Sequence, residues 1–136
     1  MKRLKRPAGL LLLILTNLLN LQLLAQSLKV PGIVVDHIPA STKTFIGSPS
    51  ICILPNGDYV ASHDHFGPGS TEFERALTSV FKSTNKGKSW TKISEINGQF
   101  WSNLFVYQGD LYTMGTWKHH GNLIVRKSTD GGITWT

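Results

Sequence analysis

The chain has 136 residues, 40% of them hydrophobic and 16% charged, with fourteen Lys and Arg against eight Asp and Glu and a formal net charge of +6. Lys2, Arg3, Lys5 and Arg6 stand together at the start, so the rest of the chain carries ten basic against eight acidic groups, a net of +2. That balance excludes nucleic-acid binding through a basic patch, and a single cysteine excludes an internal disulfide.

Residues 1–25 have the layout of a secretory signal peptide. A basic start leads into an apolar run from Ala8 to Leu24. Thr16, Asn17, Asn20 and Gln22 interrupt that run, which makes it a poor membrane span of about 20 apolar residues and a good cleavable core. Cleavage after Ala25 is expected, giving a secreted or periplasmic product with no stable membrane span. Residues 26–44 form a lead-in to the domain proper. Cys52 sits within Ile51-Cys52-Ile53-Leu54, a setting that predicts a buried, inert thiol.

From residue 45 onward the chain repeats itself. Ser83-Thr84-Asn85-Lys86-Gly87-Lys88-Ser89-Trp90 matches Ser128-Thr129-Asp130-Gly131-Gly132-Ile133-Thr134-Trp135 at a spacing of 45 residues. Upstream, Ile51–Leu54 with its Pro55-Asn56-Gly57 turn and Asp58 match Leu104–Tyr107, Gln108-Gly109 and Asp110, with Asp58 and Asp110 offset by 52. The difference of seven residues places an insertion in the first unit, within Gly67-Pro68-Gly69-Ser70-Thr71-Glu72. β-Branched and aromatic residues recur between Asn-Gly, Gly-Asp and Asp-Gly-Gly turn signals, and no helical period is visible beyond residue 25. The first unit therefore predicts strands at 48–54, 58–65, 77–83 and 89–95. The second predicts 102–107, 110–117, 122–128 and a fourth strand from about 134, cut off at Thr136. Four-stranded units of this length are the spacing of propeller blades.

The eight-residue motif has its own mechanics. The carboxylate or amide at its third position accepts backbone N–H bonds, Gly at its fifth supplies positive φ, and the terminal Trp packs across the hairpin. Ser128–Trp135 is a complete Asp box, and Ser83–Trp90 departs from one only at Asn85 and Ser89. On these motifs residues 45–136 resemble the Asp-box β-propellers of the sialidase superfamily. The resemblance assigns Ser83, Asn85, Gly87, Trp90, Ser128, Asp130, Gly132 and Trp135 to structure. It implies an all-β propeller, of which this chain holds about the first two blades of a six- or seven-bladed ring. It also implies a secreted exo-acting glycoside hydrolase removing terminal acidic sugars from glycans, inactive as two blades alone. No cofactor and no metal are implied, and the expected partner is a glycan or oligosaccharide.

Within that resemblance substrate lies at the end of the blades away from the boxes. The loops there, about 63–76, 96–101 and 117–121, nominate His63 and Asp64 for catalysis and His65, Arg75, Trp101, Trp117, His119 and His120 for substrate binding. The sialidase first strand typically opens with aromatic-Arg-Ile-Pro, but this chain has Phe45-Ile46-Gly47-Ser48-Pro49. Without that Arg, the segment Ala61-Ser62-His63-Asp64-His65 resembles propeller hydrolases and lyases acting on uronic-acid glycans, where a His near neutrality serves as general acid or base. A non-catalytic glycan- or protein-binding propeller is the third class. Each residue also has an ordinary structural reading. His63 and His65 share one side of a strand and can be a hydrogen-bonded pair, since two ligands without a third are a weak metal signal. Asp64 can cap its loop, Arg75 can pair with Glu72 or Glu74, and His119-His120 can be a solvated hairpin tip. Trp101 and Trp117 can pack between blades instead of against sugar rings.

Overall fold

The computed structural model describes residues 30–136, so the signal peptide lies outside the described residues. After a short 3-10 turn at Ala40–Thr42 the chain forms seven strands: β1 Phe45–Ile53, β2 Tyr59–Phe66, β3 Leu77–Ser83, β4 Thr91–Asn97, β5 Phe100–Tyr107, β6 Asp110–Thr116 and β7 Leu123–Ser128. They make two antiparallel sheets, ordered β1-β2-β3-β4 and β5-β6-β7. The strands follow the β-branched and aromatic runs, and the turns follow the Gly-containing signals, as the composition requires. Where the sequence places an eighth strand, Thr136 pairs with Lys127 through two backbone hydrogen bonds of 3.0 and 3.1 Å.

Three strand starts differ from the sequence expectation by two residues or more. β1 begins at Phe45 because Phe45, Ile46 and Gly47 continue the ladder opposite Phe66, His65 and Asp64 before the register shifts between Gly47 and Ser50. β4 begins at Thr91 because the box turn holds residues 84–90 out of the ladder. β5 begins at Phe100, so the connection between the sheets shrinks to Gly98 and Gln99.

Alternation along the strands decides what is buried. Val60, Val80 and Ile96 turn one flank of the first sheet toward Leu104 and Leu111 of the second, with Leu54 closing the cluster. Cys52, Ile93, Val106 and Trp135 pack around it, partly buried. Fully burying each Val or Leu contributes about 1.5–3 kcal/mol, so this seam is the main attraction between the sheets. Cys52 lies on its margin, only half-buried, and burial pushes its thiol up to about 11. β5 lies against β1 and β2, so the innermost strands of the two sheets are neighbours. The sheets are two consecutive blades of a β-propeller.

Candidate functional site

The two ends of the blades are built differently. At one end each box turn is closed by its own side chains. In the first, Ser83 Oγ accepts from the Gly87 amide at 2.8 Å, and Asn85 Oδ1 accepts from the Ser89 amide at 2.9 Å. In the second, Ser128 Oγ accepts from the Gly132 amide at 2.8 Å, and Asp130 accepts from the amides of Ile133 and Thr134 and from the Thr134 hydroxyl at 2.5–3.1 Å. The Thr134 hydroxyl and amide, then Ser128 and Ile133, hold the Asp130 carboxyl well below its ordinary value. Positions four and five of both boxes have positive φ: 59 and 81° at Lys86 and Gly87, 75 and 101° at Gly131 and Gly132. Trp90 and Trp135 each donate their indole N–H to the carbonyl of the box glycine, at 3.2 and 3.1 Å. A cleft of about 300 Å³ lined by Leu54, Lys82, Leu111, Ser128 and Gly131 opens between the sheets at this end, away from every residue nominated for substrate.

At the opposite end both innermost strands carry a β-bulge at the same place in the repeat. The register shifts between Gly47 and Ser50 in β1, and between Phe100 and Asn103 in β5, 53 residues later. Each bulge holds a non-glycine residue in the left-handed region, Ser48 at φ 48° and Trp101 at φ 52°. For a bulky side chain that conformation is unfavourable, and strain of this kind gathers at binding sites. Trp101 is 47% exposed, although its indole N–H is tied to the His119 carbonyl at 3.3 Å. Phe66, Phe100 and His119 meet it at 70–75° with centroids 5.2–5.6 Å away, so no ring of this group stacks flat on it. Phe73, 61% exposed, stacks on His119 at 4.6 Å. The result is a rim of fixed aromatic rings, exposed at Phe45, Phe73, Trp101 and Trp117.

Several nominated residues fall elsewhere than the sequence suggested. His63 is not in a loop. It lies within β2 opposite Ser79, on the flank turned away from the second sheet, 5% exposed. Its Nε2 meets Asp36 Oδ2 of the lead-in at 2.7 Å, and its ring is sandwiched between His65 and Phe81 at 5.2 and 5.4 Å. Burial pushes the Asp36 carboxyl up, but the His63 hydrogen bond, the His37 amide and nearby positive charge outweigh it and leave it below its ordinary value. His65 does share that side, as alternation requires, with Nε2 2.9 Å from Ser79 Oγ. Burial, then the charges of His63 and Lys92, lower its pKa. Asp36 was missed because nothing in a lead-in of Val, Asp and Ile marks it for a contact 27 residues away.

Asp64 does not cap a loop. It is completely buried between the sheets, where one oxygen accepts from Thr78 Oγ1 at 2.5 Å and Ser102 Oγ at 2.7 Å, and the other from the Ser102 amide at 2.8 Å. Those three donors make it a tie between blades. Arg75 forms no ion pair with Glu72 or Glu74 among the described residues. Glu72 instead turns to the Gly67 amide at 3.3 Å and to His119 Nδ1 at 3.7 Å, leaving Arg75 exposed at the rim. His119 is half-buried among Phe73, Phe100 and Trp101, so only His120 has the exposure of a solvated tip. Trp117 is 43% exposed and carries Lys118 Nζ over its ring at 5.3 Å. Trp101, Trp117, His119, His120 and Arg75 thus lie at the rim, and His63, His65 and Asp64 below it.

No family model matches the sequence, and no curated protein does. Among solved structures, the chain is similar to an α-L-arabinanase of Penicillium chrysogenum complexed with arabinobiose, at 22% identity and a TM-score of 0.54. It is also similar to the α-L-arabinofuranosidase Arb93A of Fusarium graminearum in complex with an iminosugar inhibitor, at 16% identity and a TM-score of 0.55. Each match covers 77% of this chain and 33% of the other, so the chain spans about a third of the length of either structure. At these identities the likeness is one of fold.

Proposed function

We propose that this chain supplies blades to a secreted or periplasmic propeller glycoside hydrolase of the Asp-box, sialidase-like kind, and that its contribution to the site is the aromatic rim. One observation carries the reading. The repeat-encoded bulge of β5 forces Trp101 into a left-handed conformation and holds it half-exposed, with its N–H already satisfied. An indole so fixed offers a flat apolar face to the C–H face of a sugar ring at little cost in ordering. The carbohydrate ligands named for the two similar structures support it. Arg75, exposed at the same rim, is the group suited to the carboxylate of an acidic terminal sugar. Phe45-Ile46-Gly47-Ser48-Pro49 lacks the Arg of the sialidase strand, which favours a uronic-acid or neutral glycan over sialic acid.

A second reading, a glycan-binding rim without its own chemistry, is favoured by one feature. Among the described residues the rim has no pair of exposed carboxylates, since Asp64 and Glu72 are buried. Asp64 is then a positioning residue, holding Ser102 beside Trp101.

NMR titration of the full-length protein with arabinobiose, a digalacturonate and 3′-sialyllactose tests the reading. One of the three is expected to shift the Trp101 indole resonance, and Trp101→Ala to weaken that binding about tenfold. Absence of any response from correctly folded protein refutes it. Turnover of the bound sugar separates the hydrolase from the binding-only reading.

A further inference from the structure

The stretch by which the first unit exceeds the second leads into a turn that is closed on itself. The amides of Glu74, Arg75 and Ala76 all donate to the Thr71 carbonyl, at 2.8–3.0 Å. Just before it, the Ser70 amide and hydroxyl donate to the Gly67 carbonyl at 2.9 and 2.8 Å. Phe73 stands inside that turn, so its position is set by backbone hydrogen bonds before any ligand arrives, which lowers the ordering cost of binding to it.

The turn is also tied to the second blade. The His119 amide donates to the Glu72 carbonyl at 2.8 Å, and His119 Nδ1 lies 3.7 Å from the carboxylate of Glu72, a residue 7% exposed. His119 thereby becomes a bracket between two exposed rings. Phe73 stacks on it at 4.6 Å with planes 16° apart, and Trp101 meets it at 5.6 Å and 75°. The planes of Phe73 and Trp101 are therefore steeply inclined to each other. His119 covers one face of Phe73 and His120 stands to its side at 6.4 Å and 53°, leaving the opposite face to account for its 61% exposure. Two consecutive blades contribute the whole of this corner.

A single sugar ring cannot lie flat on both aromatic faces. Two successive rings can, provided the linkage turns one against the other, as axial linkages do and the equatorial linkages of ribbon-like glycans do not. Arg75, two residues beyond Phe73 on the same turn, is exposed and forms no ion pair among the described residues, and a guanidinium so placed suits a sugar carboxylate.

We propose that Phe73 is a second sugar platform beside Trp101, and that the rim takes two successive, mutually turned sugars, with a uronic acid over Phe73 and its carboxylate on Arg75. This rests on the rim reading above and names its substrate class, an axially linked uronic-acid glycan.

The test uses the full-length protein and digalacturonate, an axially linked dimer whose two rings give separate proton resonances. Saturation-transfer NMR is expected to show both rings in contact with the wild-type protein. Phe73→Ala is expected to remove the contact of one ring and Trp101→Ala that of the other, each weakening binding about tenfold, while Phe73→Tyr keeps the wild-type pattern. Arg75→Gln is expected to weaken binding by about the same factor with both contacts retained. An unshifted Trp135 indole resonance reports an intact fold in each variant. Loss at the same ring in both alanine variants, or no loss from Phe73→Ala, overturns the second platform. Unchanged affinity in Arg75→Gln overturns the uronate assignment. Silence of digalacturonate while arabinobiose or 3′-sialyllactose shifts the Trp101 indole overturns the substrate class and leaves the rim reading standing, whereas silence of all three sugars removes both.

Discussion

The two blades share one backbone pattern and use it for different ends. Both have the box turn, the bulge at equivalent places and the same strand registers, yet the residues at matching positions diverge. Ser48 stands where Trp101 stands, His63 where Gly115 stands, Val60 where Tyr112 stands, and Asn85 where Asp130 stands. The first blade spends these differences on inward packing and on holding the lead-in. The second presents an aromatic rim. A repeat fixes backbone geometry, while exchange at a few positions decides which surface each unit offers.

The largest expected effect tests what the blades share. Asp64→Ala opens a void between the sheets and leaves the buried Ser102 amide without an acceptor, while the Thr78 and Ser102 hydroxyls keep only the Gln99 carbonyl and each other. It is expected to lower unfolding free energy by on the order of 4 kcal/mol in urea titrations of the full chain. Leu111→Ala removes a side chain 1% exposed at the centre of the seam, and a loss of about 3 kcal/mol is expected by the same measurement.

A smaller effect sharpens the contrast between the boxes. The Asp130 carboxyl is held below its ordinary value, so its stabilising contribution is fully present above that ordinary value and fades as pH falls through the folded-state value. Hydrogen exchange at the Ile133 and Thr134 amides is therefore expected to gain protection loss below about pH 3, while the Ser89 amide, held by an uncharged Asn85, does not. Asn85→Asp should transfer that acid sensitivity to the first box. Equal pH response of the two boxes in wild-type protein would show that the carboxylate is not what separates them. The smallest effect concerns Cys52, whose raised thiol pKa predicts negligible alkylation by iodoacetamide at pH 8 in native protein and full reaction once unfolded.

The fold was legible because its signals are local. The repeat spacing, the Gly-containing turns and the eight-residue motifs each act within a few residues, and the strands fall where they say. The rim was legible in part, since Trp101, Trp117 and His119 were nominated from loop order alone. Two things were hidden, for physical reasons. The bulge puts Trp101 in a conformation its side chain disfavours, so propensity points away from it. The Asp36–His63 pair joins an extended lead-in to a strand 27 residues on, and no periodicity encodes such a meeting. His63 drew a catalytic reading because a His-Asp-His run looks chemical, whereas alternation alone sends His63 and Asp64 to opposite flanks of the sheet, neither of them the rim.

The second box also reaches backward. Ser94 of β4 donates its hydroxyl to the Gly132 carbonyl at 2.5 Å and accepts from the Trp135 indole at 3.2 Å, whereas Trp90 bonds within its own turn. The molecule is thus vectorial. The second box is completed on the outer strand of the blade made before it, so a ribosome delivering the chain from its N-terminus presents that unit with a finished template.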